Sequence, residues 1–216
     1  MANSIDDAAV RVLGSLMEKA LATPEYYPLS LNALTAACNQ KSSREPVVAY
    51  DEATVQAAAD DLASRELVYE SRVGRVSKFE ERFSQLHSLV PRETAVLCVL
   101  LLRGAQTIGE IRTRTSRLYA FQSLEEAAES MGTLEALGVA ARLARLPGHK
   151  ESRYAHLLSG APETAAPAAA PAPPPESTES AENVRRMEKL EATVAALEEE
   201  MAALKRAFLE FRKQFE

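Results

Sequence analysis

The chain has 216 residues and a formal net charge of −6, from 25 Lys and Arg against 31 Asp and Glu. Hydrophobic residues make up 46% of the sequence, enough to fill a core, which excludes a wholly disordered chain. The negative total excludes a uniformly basic nucleic-acid binder, but it does not say where the charge is located.

Cysteine usage and hydropathy exclude further classes. Cys38 and Cys98 do not make a disulfide framework, and the three histidines lack metal-ligand spacing relative to them. The longest apolar run, 95–102, is far too short to span a membrane, and the acidic N-terminus carries no export signal. We therefore expect a cytoplasmic protein without a metal or cofactor, in which both cysteines are buried.

The first half of the chain predicts three helices followed by a hairpin. Ser4 and Asp7 fit a capping box at the start of an amphipathic first helix. The other predicted elements are a short helix over 30–38, a third helix over 51–66, and alternating strands over 67–73 and 76–83 joined at Gly74.

The second half repeats this order. Pro91 opens a helix that Gly104 stops. The following elements are a helix capped by Thr107 and Glu110, a helix capped by Ser123 and Glu126 that ends at Gly138, and strands over 139–146 and 151–158 around Pro147-Gly148. A shift of 72 residues carries the start of the third helix, Asp51, onto its counterpart, Ser123.

Three helices and a hairpin in about 70 residues are typical of a winged helix-turn-helix domain. The predicted fold is mainly α with small β-hairpins: two tandem winged-helix domains, over 1–87 and 88–160, followed by a C-terminal coiled-coil helix.

The composition changes after Gly160. Residues 161–175 contain six Pro and seven Ala, which predicts a flexible linker over 161–181. Over 182–216 the apolar residues recur at alternating spacings of three and four, as in the seam of a coiled coil. These positions are Met187, Leu190, Val194, Leu197, Met201, Leu204, Phe208, Phe211 and Phe215.

The charges flanking this seam favour a parallel homodimer. With Met187 at position a, the g-to-e′ pairs are Arg186 with Glu191 and Glu200 with Lys205, and both attract. The alternative is a helix that folds back onto its own globular part, which the long linker permits.

Three long stretches carry a family resemblance. They are TPEYYPLSLNALTAACNQKSSREP (23–46), LLRGAQT (101–107) and RLARLPGHKESRY (142–154). They resemble the YceH-like family of bacterial proteins of unknown function. The resemblance covers residues 5–160 and implies tandem winged helices, often with a C-terminal coiled coil. It implies no activity and no catalytic residues.

Most of the acidity lies in the tail: residues 1–160 have a net charge of −2 and residues 161–216 one of −4. Basic residues of the globular part cluster in the hairpins and in the turns after the second helices, where winged helices contact phosphate. The candidate nucleic-acid contacts are Lys41, Arg44, Arg72, Arg75, Lys78, Arg112, Arg114, Arg117, Arg142, Arg145, Lys150 and Arg153. The alternative for the turn over 39–46 is an ordinary capped loop, with Arg44 paired to Glu45 or to another neighbouring carboxylate.

The third helix of each half is acidic, which argues against base readout in the major groove because carboxylates repel phosphate. The acids are Asp51, Glu52, Asp60 and Asp61 in the first half, and Glu125, Glu126, Glu129 and Glu135 in the second. No glycine-rich phosphate loop or nucleophile elbow is present, so we expect no enzyme. The sequence predicts a DNA-associated regulatory or architectural protein, with a protein-interaction scaffold as the alternative.

Overall fold

A computed structural model describes residues 4–72, 76–145 and 151–160. This part of the chain is mainly helical, with seven α-helices and two small antiparallel sheets. The predicted linker over 161–181, the predicted coiled-coil helix over 182–216, the candidate contacts Arg75 and Lys150, and both hairpin turns lie outside the described residues.

The elements follow the predicted order in both halves. In the first half they are α1 (Asp7–Ala22), β1 (Leu29–Ser30), α2 (Leu31–Cys38), α3 (Glu52–Ser64), β2 (Val68–Ser71), β3 (Lys78–Glu81) and α4 (Phe83–Leu86). In the second they are α5 (Pro91–Arg103), α6 (Ile108–Arg114), α7 (Leu124–Ala136), β4 (Ala140–Arg142) and β5 (Tyr154–His156).

Side-chain caps start most of the helices where the sequence predicts them. Thr107 accepts a hydrogen bond from the Glu110 N–H while the Glu110 carboxylate accepts one from the Thr107 N–H, which completes a capping box. Ser123 accepts from the Glu126 N–H at the start of α7. Gly104 ends α5 with a positive φ of 69°, a conformation that favours glycine.

The predicted Ser4–Asp7 capping box is wrong. The N-cap of α1 is Asp6, whose carboxylate accepts a hydrogen bond from the Ala9 N–H at 2.7 Å. The preceding residue, Ile5, is buried and donates its N–H to the Leu158 carbonyl at 2.9 Å. This contact holds the incoming chain against the segment that follows β5, and the Asp6 cap starts the helix at the next residue.

Each half pairs a short extended segment with the last strand of its hairpin. The first sheet has the order β1-β3-β2, with Leu29 opposite Phe79. In the second half, Gln106 and Tyr154 exchange two backbone hydrogen bonds of 2.9 and 2.7 Å. These segments were not predicted from the sequence, because two residues are too few to show an alternating pattern.

The hairpin strands are shorter than predicted. Strand β3 ends at Glu81, and Phe83 begins helix α4 instead of completing the strand. The Glu81 carboxylate accepts a hydrogen bond from the Ser84 N–H at 2.9 Å, which satisfies a free donor at the start of the helix.

Helices α1 and α5 pack against each other at the centre of one hydrophobic cluster that contains residues from both halves. Gly14 allows the close approach: a Cβ there would lie 2.9 Å from Leu102 Cδ2 and 3.0 Å from Leu101 Cβ. Both cysteines are fully buried and unpaired, as the sequence predicts.

Candidate nucleic-acid interface

The first hairpin carries exposed cations. Arg72 is 79% exposed, and its guanidinium contacts the Glu70 carboxylate at 2.8 Å. Lys78 is exposed on β3, and the Arg82 guanidinium stacks over the ring of Tyr69, 4.7 Å from its centroid. Of these three cations, only Lys78 projects without a described partner among the residues that the structure covers.

The second hairpin forms a groove with α6 and α7, which we call the hairpin groove. It encloses about 430 Å³ and is lined by Ile108, Gly109, Leu124, Glu125, Ala128, Arg142, Arg145, Glu151, Ser152 and Tyr154. Arg142 and Arg145 are exposed. Within the described residues their side chains have no carboxylate within ion-pair distance, so they are available to an external anion.

Two other candidate contacts of the second half, Arg153 and Arg112, interact with residues of the protein itself. The Arg153 guanidinium lies 3.5 Å from the Glu110 carboxylate. Arg112 is exposed and donates a long hydrogen bond of 3.4 Å to the Gln122 carbonyl. Arg112 therefore remains accessible, while Arg153 is partly neutralised.

Most of the acidic residues of α7, the third helix of the second half, face solvent. Helix α7 exposes Glu125, Glu129 and Glu135. Glu126 is different, because it accepts hydrogen bonds from the Gln122 N–H and the Tyr119 hydroxyl, each at 2.8 Å. These bonds lower the pKa of Glu126, so this carboxylate is a structural part of the turn before α7.

Arg44 is buried in the turn after α2, and its side chain has no exposed surface. Its guanidinium donates to both oxygens of the Glu18 carboxylate, at 3.0 and 2.7 Å, and to the Ala37 carbonyl at 2.8 Å. Burial raises the pKa of Glu18, but the hydrogen bonds and charge of Arg44 outweigh it and leave that pKa below its usual value. In this conformation Arg44 cannot reach an external phosphate.

The remaining candidates meet in a second groove, which we call the junction groove. It encloses about 590 Å³ between the C-terminal ends of α1 and α5 and the turns that follow α2 and α6. Five cations line it: Lys19, Lys41, Arg103, Arg114 and Arg117. Three of them were predicted from the sequence. Lys19 and Arg103 were not, because cations in the last turn of a helix are ordinary complements to the helix dipole.

The electrostatics of the junction groove favour an anion. Its only acidic residue, Glu18, is engaged by Arg44 and lies 3.3 Å from the Lys19 ammonium. Arg103 forms no ion pair with any residue of the described chain, and burial together with the nearby Arg114 charge lowers its pKa. Arg114 donates to the Gln106 side chain and lies 3.5 Å from Glu110.

The described residues show neither a metal-binding cluster nor a membrane-spanning helix. No cluster of three or more His, Cys, Asp or Glu in this part of the chain could hold a metal ion. None of the described helices combines the length and hydropathy that crossing a membrane requires.

Comparison with known proteins identifies the family. Residues 5–149 match the family described as "Protein of unknown function, DUF480". The chain is 47% identical over 215 residues to a UPF0502 protein of Solibacter usitatus, and 43% identical over 215 residues to one of Geobacter sulfurreducens; each match covers 98% of both chains. A UPF0502 protein of Azoarcus is 45% identical over 219 residues, covering 98% of this chain and 94% of the relative. These matches confirm the resemblance to a bacterial family of unknown function, and the chain belongs to the DUF480 family.

Proposed function

We propose that this chain is a tandem winged-helix protein that associates with DNA through phosphate contacts and has no enzymatic activity. The order of elements supports the winged-helix assignment: in each half, three helices precede a hairpin whose last strand pairs with a segment ahead of the second helix. The hairpin is then the wing of each domain.

The observation that carries the proposal is the pair Arg142 and Arg145 in the hairpin groove. Both are exposed cations on the wing of the second half, beside the helix that enters the major groove in ordinary winged helices. The exposed acids of α7 disfavour base readout, so the proposed binding is weakly sequence-selective and dominated by phosphate.

A salt series on duplex DNA tests this proposal. We expect affinity to fall log-linearly with salt, because bound phosphates release counterions. The double variant Arg142→Ala with Arg145→Ala removes two phosphate contacts and should reduce the magnitude of the slope by about 2. Fluorescence anisotropy with a labelled duplex measures both quantities.

The matched control is Arg72→Ala on the other wing. Its guanidinium is already paired with Glu70, so the substitution should change the slope less than either arginine of the second wing. If the wild-type chain binds no duplex even at low salt, the DNA proposal fails.

A protein-interaction scaffold is the second candidate, favoured by the exposed acids of α7. The double variant Glu125→Lys with Glu129→Lys separates the two. If α7 approaches DNA, the variant removes repulsion and strengthens duplex binding at low salt. If α7 instead binds a basic protein surface, we expect neither the wild type nor the variant to bind duplex DNA.

The predicted coiled coil supplies a second copy in this proposal. A parallel homodimer brings two sets of wings to one duplex, which raises their effective concentration without new contacts.

A further inference from the structure

We infer that the junction groove is a binding site for a small ligand that carries two or more anionic groups and an apolar ring, the chemistry of a nucleoside diphosphate. This site is separate from the wing contacts proposed above. The inference rests on the charge, lining and position of the groove.

Charge is the first argument. Three cations of the groove, Lys41, Arg103 and Arg117, form no ion pair with the described residues, because Lys19 and Arg44 are paired with Glu18 and Arg114 with Glu110. Arg103 is partly buried and repelled by Arg114, and the carboxylates that attract it, Glu45 and Glu18, form no ion pair with it. A partly buried cation that repels its neighbour is costly unless an anion compensates for it. A single phosphate would balance only part of this charge, which favours a ligand with several anionic groups.

The lining is the second argument. Between the cations the groove has an apolar wall, in which Leu118 is partly exposed while Val99 and Leu102 lie almost fully buried beneath it. A volume of about 590 Å³ lies in the range of about 300–1,000 Å³ typical of small-molecule sites. The cations would hold the phosphates, while the apolar wall would receive a flat ring such as a nucleobase.

Position is the third argument. The turn after α2 in the first half and the turn after α6 in the second both line the groove. These two turns are at equivalent positions of the repeat. Lys41 comes from one turn and Arg114 and Arg117 from the other, so a ligand must touch both halves to satisfy them. A concave site with partly buried arginines suits a small ligand better than the backbone of a stiff duplex.

Titration calorimetry on the full chain tests the inference, with ADP and inorganic pyrophosphate as probes at low ionic strength. We expect saturable binding of both, with ADP the tighter because its base gains the apolar wall. Lys41→Gln and Arg103→Gln should each weaken both ligands by about tenfold, because each removes a charge-assisted hydrogen bond. The matched control Lys78→Gln, an exposed lysine outside the groove, should change affinity less than twofold.

The melting temperature of each variant shows whether the substitution has disturbed the fold. Arg103→Gln breaks no ion pair of the described residues, so any fall in the melting temperature should be small. ADP should raise the melting temperature of the wild type more than that of the variant. The inference is overturned if neither probe binds at millimolar concentration, or if the groove variants bind as tightly as Lys78→Gln. It is also overturned if duplex DNA, and not ADP, loses affinity in the groove variants, since the groove would then be a DNA contact.

Discussion

Lys41 and Arg44 lie three residues apart in one polar turn, yet the structure gives them opposite environments. Lys41 is exposed in the junction groove, and Arg44 is buried against Glu18. Between them, Ser43 has a φ of 59°, which turns the chain sharply. The sequence identified the turn and both cations, but only the fold decides which of them points inward.

Breaking the buried Arg44–Glu18 ion pair should lower the free energy of unfolding substantially. The substitution Arg44→Met keeps much of the side-chain volume but leaves Glu18 largely buried without its partner, and we expect a loss of about 3 kcal/mol in the free energy of unfolding. Urea unfolding at pH 7 measures it. Arg72→Met is the control, because its ion pair with Glu70 is at the surface, is screened by solvent and should contribute little to stability.

The same pair should show a pH dependence. Because the folded-state pKa of Glu18 is lowered, the stability it contributes is present above the ordinary value of 4.5 and is lost as the pH falls through the folded value. The difference in stability between wild type and Arg44→Met should therefore shrink below pH 4.5. An unchanged difference in acid would contradict the role given to this ion pair.

At the scale of elements, helices were easier to predict than strands. Capping residues such as Thr107 and Ser123 indicate where a helix starts, because their side chains accept hydrogen bonds from free backbone N–H groups. Donor and acceptor are only three residues apart, so the pattern can be recognised in a short stretch of sequence. Strand β1 and the Gln106 segment depend on partners about 50 residues away, so no local pattern reveals them. The junction groove was hidden for the same reason, since its cations come from four separate elements.

The contact between α1 and α5 gives a prediction at this scale. Gly14→Ala improves helix propensity but places a methyl group about 3 Å from Leu101 and Leu102, and we expect a net loss of about 1–3 kcal/mol. Gly132→Ala in α7 is the control, because a Cβ there meets nothing within 4 Å and should stabilise by about 0.5–1 kcal/mol. Thermal unfolding of both variants tests the pair, and equal effects would contradict the close packing at Gly14.

At the scale of the whole molecule, the net charge of −6 is a poor guide to function. The net charge of residues 1–160 is close to zero, and their cations cluster at the second hairpin and in the junction groove. Composition could therefore exclude a uniformly basic protein, but not a local anion site.

The predicted dimer belongs to this scale. We expect the full chain to have the mass of a dimer by sedimentation equilibrium, because nine consecutive apolar seam positions require a partner. Leu197→Asp places a carboxylate in the middle of the seam and should give the mass of a monomer. The control is Leu197→Ile, which keeps an apolar side chain at the same position and should remain dimeric. A monomeric wild type would contradict the parallel coiled coil.

The burial of both cysteines has a practical consequence for thiol chemistry. Burial raises the pKa of the Cys38 and Cys98 thiols, so at neutral pH neither offers an accessible thiolate. Maleimide reagents should therefore leave the native chain unlabelled. Single substitutions such as Lys41→Cys or Arg142→Cys then attach a fluorophore to one groove at a time, without first removing the natural cysteines.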